Sequence, residues 1–187
     1  MKLLQALALF GLGVVAAAQA APATEQGKDF WQTPTITGYG PMHPFPEGVY
    51  QPDKNQVYKI LFVIDGGNDK PAEINSEFQA VARAINLFTS AGVPADHLKI
   101  VTLISGSATA DVLDAEHYKT LLGVANPNLE LIHKLRTFGV DFVVCAQAAL
   151  KHQYQLDWIN PDIKPALSAL TTEAILQTQG YVLINLG

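Results

Sequence analysis

Apolar positions along the chain fall into two periods. Tyr58 to Ile64, Leu98 to Ile104 and Asp141 to Val144 are short, nearly continuous apolar runs, the pattern of strands buried on both faces. Ile163 to Leu167 reads as a shorter strand weakened by Pro165, and Tyr181 to Leu186 as a final one. Between these runs the period lengthens. Ile74, Phe78, Val81, Ile85 and Phe88 recur at helical spacing, Ser76-Glu77-Phe78-Gln79 matches a capping box, and Gly92 and Pro94 stop the helix. His117 to Leu122 reads as helical. Asn126-Pro127 reads as a cap followed by proline in the first turn, leading into Leu129, Ile132, Leu135 and Phe138, and Gly139 ends that helix. Ala146 to Lys151 starts another helix, and Ser168 caps one that runs to Gln179 and closes at Gly180. Strands alternating with helices predict an α/β fold over residues 56–187. The expected form is a single three-layer domain, a mostly parallel five-stranded sheet with helices on both faces. No internal repeat interrupts this order.

The first 55 residues obey neither period. Fifteen of residues 1–20 are apolar, Lys2 precedes the apolar stretch, and Ala18-Gln19-Ala20 offers small residues where a signal peptidase cuts. The stretch is short for a spanning helix and is broken by Gln5, Gly11 and Gly13. Residues 1–20 are therefore expected to be a cleaved signal peptide. That places the mature chain in a bacterial periplasm, with no stable membrane insertion after cleavage. Residues 21–55 read as an extended arm. Six of the chain's 11 prolines fall there, interleaved with Phe30, Trp31, Tyr39, Phe45 and Tyr50. Proline at that density blocks helix, while the aromatics argue that the arm packs on its own domain or a neighbour's.

Charge and cysteine content narrow the function. Twelve Lys and Arg against 17 Asp and Glu, a net charge of −5, leave no basic face for nucleic acid. The single cysteine excludes a disulfide framework within the chain and a four-cysteine metal site. The five histidines, His43, His97, His117, His133 and His152, show no metal-pair spacing, so no metal is expected, and without a P-loop lysine or a GxGxxG after any strand no organic cofactor is expected either.

Ligands of open α/β sheets bind beyond the carboxyl ends of the strands. Asp65-Gly66-Gly67, Ser105-Gly106-Ser107 and Cys145-Ala146-Gln147 end there. Cys145 is the candidate reactive atom. A thiol at a strand end and helix start faces orphan backbone N–H groups that favour an anionic sulfur. The other reading of Cys145 is a buried small hydrophobe. Candidate pocket residues are Asp65, Gly66, Ser105, Gly106, Ser107, Ala146 and Gln147. Asn86 joins them, as a mildly poor helix former inside a helix, which hints at a local hydrogen-bonding role.

Val144-Cys145-Ala146-Gln147-Ala148-Ala149-Leu150 resembles the segment around the active cysteine of the DsrE/DsrF-like sulfur-relay family. Further segments resemble it in the same order. They are Tyr58-Lys59-Ile60-Leu61-Phe62, Val81-Ala82-Arg83-Ala84-Ile85-Asn86-Leu87, Ala91-Gly92-Val93, Ile104-Ser105-Gly106-Ser107-Ala108-Thr109, Asn126-Pro127-Asn128, Ala166-Leu167-Ser168-Ala169-Leu170-Thr171 and Gln179-Gly180-Tyr181. The likeness spans roughly residues 57–187 and is greatest to exported members. It implies a five-stranded parallel α/β fold, assembly into homo-oligomers (trimers or hexamers), and, from the family's cytoplasmic sulfur-relay members, a cysteine that carries sulfur as a persulfide, which by position is Cys145.

Two classes of function follow. In the first, Cys145 takes sulfane sulfur from a donor and hands it to an acceptor thiol, with backbone N–H groups near Ala146 and Gln147 steadying the anion. In the second, the domain is a non-catalytic small-ligand or partner-binding and assembly protein, and Cys145 is structural.

Overall fold

A computed structural model of the chain describes residues 30–187. The expected signal peptide, residues 1–20, and residues 21–29 of the arm lie outside the described residues. The elements follow in order as β1 (Tyr58–Ile64), α1 (Ser76–Ser90), β2 (Leu98–Ile104), α2 (Ala115–Leu122), α3 (Leu129–Phe138), β3 (Asp141–Cys145), α4 (Ala146–Lys151), β4 (Lys164–Ala166), α5 (Ala169–Thr178) and β5 (Val182–Asn185). The five strands form one sheet in the order β4-β3-β2-β1-β5, and every pairing is parallel.

That order explains the layering. Right-handed crossovers that step the same way along a sheet put their helices on the same face. The chain steps from β1 to β4 in one direction, so α1 and α3 share a face. There Phe78, Val81, Ile85, Leu131, Ile132 and Leu135 pack on Ile60, Phe62, Ile64, Ile100, Ile104, Phe142 and Val144. The return from β4 to β5 runs the other way, and α5 lies on the opposite face. It covers Leu61, Val63, Val101 and Leu103 with Ala169 and Leu176. One ten-residue helix cannot seal five strands. On α5 itself Leu170 and Ile175 are exposed, and on the other face Val182 of β5, level with Ile60, is exposed at the sheet edge.

Residues 30–57 contribute one isolated bridge, Gln32 to Met42, and no longer strand or helix. They are docked on α1. The amide of fully buried Asn86 holds them: its Oδ1 accepts from Thr35 N (3.0 Å) and Ile36 N (2.8 Å), and its Nδ2 donates to the carbonyls of Tyr39 and Gly40 (both 2.9 Å). Gln79 Oε1 accepts from Gly40 N, and Arg83 donates to Pro41 O. Gly40, at φ 58°, lies so close to α1 that a Cβ there would run into the backbone of Ala82 and Arg83. Ile36 and Met42 are buried by this docking.

Several local expectations shift. The α1 N-cap is Asn75, whose side chain accepts from Glu77 N, and Gln79 faces the arm instead of closing a capping box. The cap of α3 falls at Asn128, whose side chain makes no capping bond because it is drawn with Asn126 into a buried polar network. The fourth strand is three residues long, with Pro165 on the sheet edge where a missing donor costs nothing.

Candidate functional site at the strand ends

The parallel register brings three of the expected residues into one row. Ile64 pairs with Ile104 and Ile104 with Val144, so Asp65, Ser105 and Cys145 stand at the same level beyond adjacent strands. The loops that follow are laced together. Ser107 Oγ accepts from Gly67 N (2.7 Å) and donates to Asp65 O (3.1 Å), and Ala108 N donates to the same carbonyl. Gly106, at φ 54°, presses on Asp65: a Cβ there would lie 2.7 Å from Asp65 O. The hydroxyl of Ser107 is thus engaged in joining two loops. His152, at the end of α4, reaches back with Nε2 3.0 Å from Gly106 O.

Cys145 closes β3 and caps α4. Its Sγ accepts from Ala148 N (3.4 Å), the third residue into α4, and from Ala169 N (3.2 Å), the first residue of α5. The donors to sulfur are therefore Ala148 and Ala169, not Ala146 and Gln147. An N-capping atom reaches the N–H two or three residues on, which skips the nearest positions. Gln147 acts elsewhere. Its Nε2 donates to Leu167 O (3.3 Å), joining the start of α4 to the turn before α5. Cys145 as a whole is 5% exposed. Two backbone N–H groups from separate helices are thus aimed at the one sulfur.

The far end of the row is acidic. Gly66 O accepts from Asn75 Nδ2, which also donates to buried Asp111 (2.8 Å). Asn75 N donates to Asn128 Oδ1, and Asn126 Nδ2 donates to the carbonyls of Asp111 and Leu113. This network fixes the loops after β1 and β2 against the start of α3. Burial raises the Glu77 carboxyl above its ordinary value. The charges of Asp65 and Asp111 add to the rise, while backbone N–H groups of Gly66 and Asp65 oppose it. Burial raises Asp111 as well, against the hydrogen bonds from Asn75 and Asn68. Burial and the Asp111 charge push Tyr118 to about 12.

These shifts set a pH dependence. Glu77 and Asp111 bind protons more readily in the folded chain than in the unfolded one. Their stabilisation is complete below their unfolded values and is lost as pH rises through the folded ones. Asp114 has the opposite sign. Burial opposes its charge, but the backbone N–H and ring of His117 outweigh that and lower it, so its contribution is lost only on acidification below the ordinary carboxylate range. The protein is therefore expected to melt at a lower temperature as pH rises above the ordinary carboxylate range. Glu77→Gln should raise the neutral melting temperature and flatten the slope. Calorimetry showing the opposite slope would remove this account of the acidic end.

Asn86 is the expected pocket residue that the structure places elsewhere. It sits on the face of α1 under the arm, and all its amide capacity goes to arm backbone. Sequence reasoning missed Ala148, Ala169, Glu77, Asn75 and Asp111. Asn75 alone carried a signal, as an Asn one position before the expected cap. Two surface grooves also lie away from the thiol. One of 620 Å³ is lined by Tyr58, Ile60, Phe88, Val182 and Ile184, and one of 540 Å³ by Trp31, Met42, His43, Arg83 and Leu87. Among the described residues no three His, Cys, Asp or Glu side chains converge on a metal position, and no helix is long and apolar enough to cross a membrane.

The family model for the DsrE/DsrF-like family matches residues 58–186. Among solved structures, a protein of unknown function from Methanobacterium thermoautotrophicum is similar at a TM-score of 0.50 and 16% identity, over 68% of this chain and 98% of that one. At that identity the likeness speaks for the fold alone. No curated protein sequence matches the chain. The family match runs from the first strand through the last, over a five-stranded parallel sheet with Cys145 at a strand end, and the chain belongs to the DsrE/DsrF-like family.

Proposed function

We propose that this protein is a periplasmic sulfur-relay protein that carries sulfane sulfur as a persulfide on Cys145. The observation that carries the reading is the Sγ of Cys145 between two helix starts, accepting from Ala148 N and Ala169 N. The chemistry balances without a cofactor. The Cys145 thiolate attacks the outer sulfur of a donor persulfide, the donor S–S bond breaks, and the donor leaves as a thiolate. The reverse attack by an acceptor thiolate on the outer sulfur of Cys145–S–SH returns Cys145 as a thiolate. Sulfur moves at the zero-valent level, and no net electrons are exchanged with the protein. One cysteine suffices because donor and acceptor each bring their own thiol.

Polysulfide treatment of the mature protein, read by intact mass, is expected to add one sulfur that a thiol reductant removes. An unchanged mass sinks the reading. It then leaves the second one, a binding or assembly module with a structural cysteine, which the burial of Cys145 favours. Secretion with cleavage after Ala20, checked by N-terminal sequencing of exported protein, tests the location.

The uncovered face supports assembly into a homo-oligomer. Leu170 and Ile175 are exposed apolar side chains of α5, the one helix over that face, and β5 is an edge strand with one side unpaired. Light scattering at micromolar concentration should give more than one chain per particle, and Leu170→Lys with Ile175→Lys should reduce it to one. A monomeric wild-type particle overturns this.

A further inference from the structure

We propose that Leu167 to Leu170, the turn before α5 together with its first residues, is a lid over the Cys145 sulfur, latched by Gln147, that must lift before sulfur can be loaded. The lid rests on the reading of Cys145 as the reactive atom and concerns how that atom is reached.

A persulfide adds a whole sulfur atom to Sγ, and its formation needs an approach along the S–S axis. Cys145 is only 5% exposed, so the closed structure offers no such approach. What covers the sulfur differs in firmness from side to side. On one side is α4, whose Ala149 is fully buried and whose following residue, His152, is tied to the loop after β2. On the other side is the turn that brings Ala169 N to Sγ. It follows β4, a three-residue edge strand paired only with β3 and carrying Pro165. Leu167 and Leu170, which flank Ser168 and Ala169, are 71% and 82% exposed, and α5 has no buried residue. A segment with few buried side chains belongs to the low-stability end of a fold and opens locally first. The lid is held to the thiol side of the gap by Ala169 N donating to Sγ and by Gln147 Nε2 donating to Leu167 O. Ser168 caps α5 through Thr171 N, so the helix keeps its cap when its start moves away. The lid thus has a closed state in which sulfur is held by two N–H groups and an open state in which it keeps one.

Alkylation of Cys145 in the native, full mature chain, timed by intact mass, reads the lid directly. Wild-type protein should react far more slowly than the same protein unfolded, at a rate unaffected by dilute urea, since local opening exposes little surface. Gln147→Ala removes the latch and should raise the native rate about fivefold, the factor carried by one neutral hydrogen bond. Ala169→Pro is the second variant. Its ring carbon takes the place of the hydrogen that points at Sγ, so the lid cannot close. The first helical position tolerates proline, and the extended Ser168 (φ −160°, ψ 160°) suits the residue before it. It should react faster than Gln147→Ala with the same helical circular dichroism.

Native wild-type alkylation at the unfolded rate overturns the lid. So does a native rate that climbs with dilute urea, or two variants that both react like wild type. Slow, gated alkylation without sulfur uptake from polysulfide keeps the lid and removes the carrier. Sulfur uptake with ungated alkylation does the reverse.

Discussion

Cys145→Ser is expected to abolish sulfur uptake from polysulfide completely while leaving the fold almost as stable as before. The first half follows from chemistry: the chain holds no other thiol, and an alcohol does not exchange with an S–S bond. The second half follows from the geometry. Placed in an apolar site, a hydroxyl left without partners would cost about 1–3 kcal/mol. This sulfur is not in such a site. It already accepts from Ala148 N and Ala169 N, and serine is among the preferred helix-capping residues. The cost of Cys145→Ser should therefore be below about 1 kcal/mol. Cys145→Ala, which leaves the cap empty, should cost about 1 kcal/mol within a range of ~0.5–2. Thermal melts of the three proteins beside their mass gain separate the roles. A serine variant that still takes up a reductant-sensitive sulfur would mean that the sulfur is not carried by this residue. A serine variant that loses several kcal/mol would mean that the sulfur is packed as a hydrophobe.

Asn86→Ala should be among the most destabilising single substitutions in the described chain. It removes the acceptor for Thr35 N and Ile36 N and the donor for the carbonyls of Tyr39 and Gly40. A buried polar group left without a partner costs about 1–3 kcal/mol, and here the alternative is to release the arm into water. Release exposes Ile36 and Met42, each worth about 1.5–3 kcal/mol of burial. Either route leads to a loss of roughly 3–5 kcal/mol, or a melting temperature lower by about 10 °C for a domain of this size. Trypsin should then cut faster after Lys54, at the foot of the arm, and after Arg83, whose backbone the docked arm covers. An Asn86→Ala protein that melts with wild type and resists trypsin equally would show that the hydrogen bonds at Asn86 are replaceable by water.

These two residues also show how far sequence reasoning reached into the site. Cys145 was legible because a lone thiol stands where an apolar run ends and a helix begins, which is a local pattern. Asp65 and Ser105 were legible for the same reason, and the parallel register then aligned them with it. Asn86 was legible only as an oddity. An Asn within a helix announces a hydrogen-bonding role but not its partner, and the partner lies some fifty residues away along the chain. Ala169 was not legible at all. Its function resides in a backbone N–H that every non-proline residue has, and what selects it is the path of β4 and α5 past the end of β3.

The sequence by itself determined the alternation of strands and helices, the parallel sheet, the strand-end position of the thiol and the family of the chain. Those are properties of periodicity, of local capping chemistry and of ordered motifs, and each acts over a few residues or a turn of helix. Only the tertiary structure decided that the arm docks on α1 through Asn86, that a single helix covers the second face of the sheet, and that a second helix start reaches over Cys145. Each of these joins segments far apart in the chain. Their geometry is set by packing and by the burial of backbone polar groups that must find partners wherever the fold provides them.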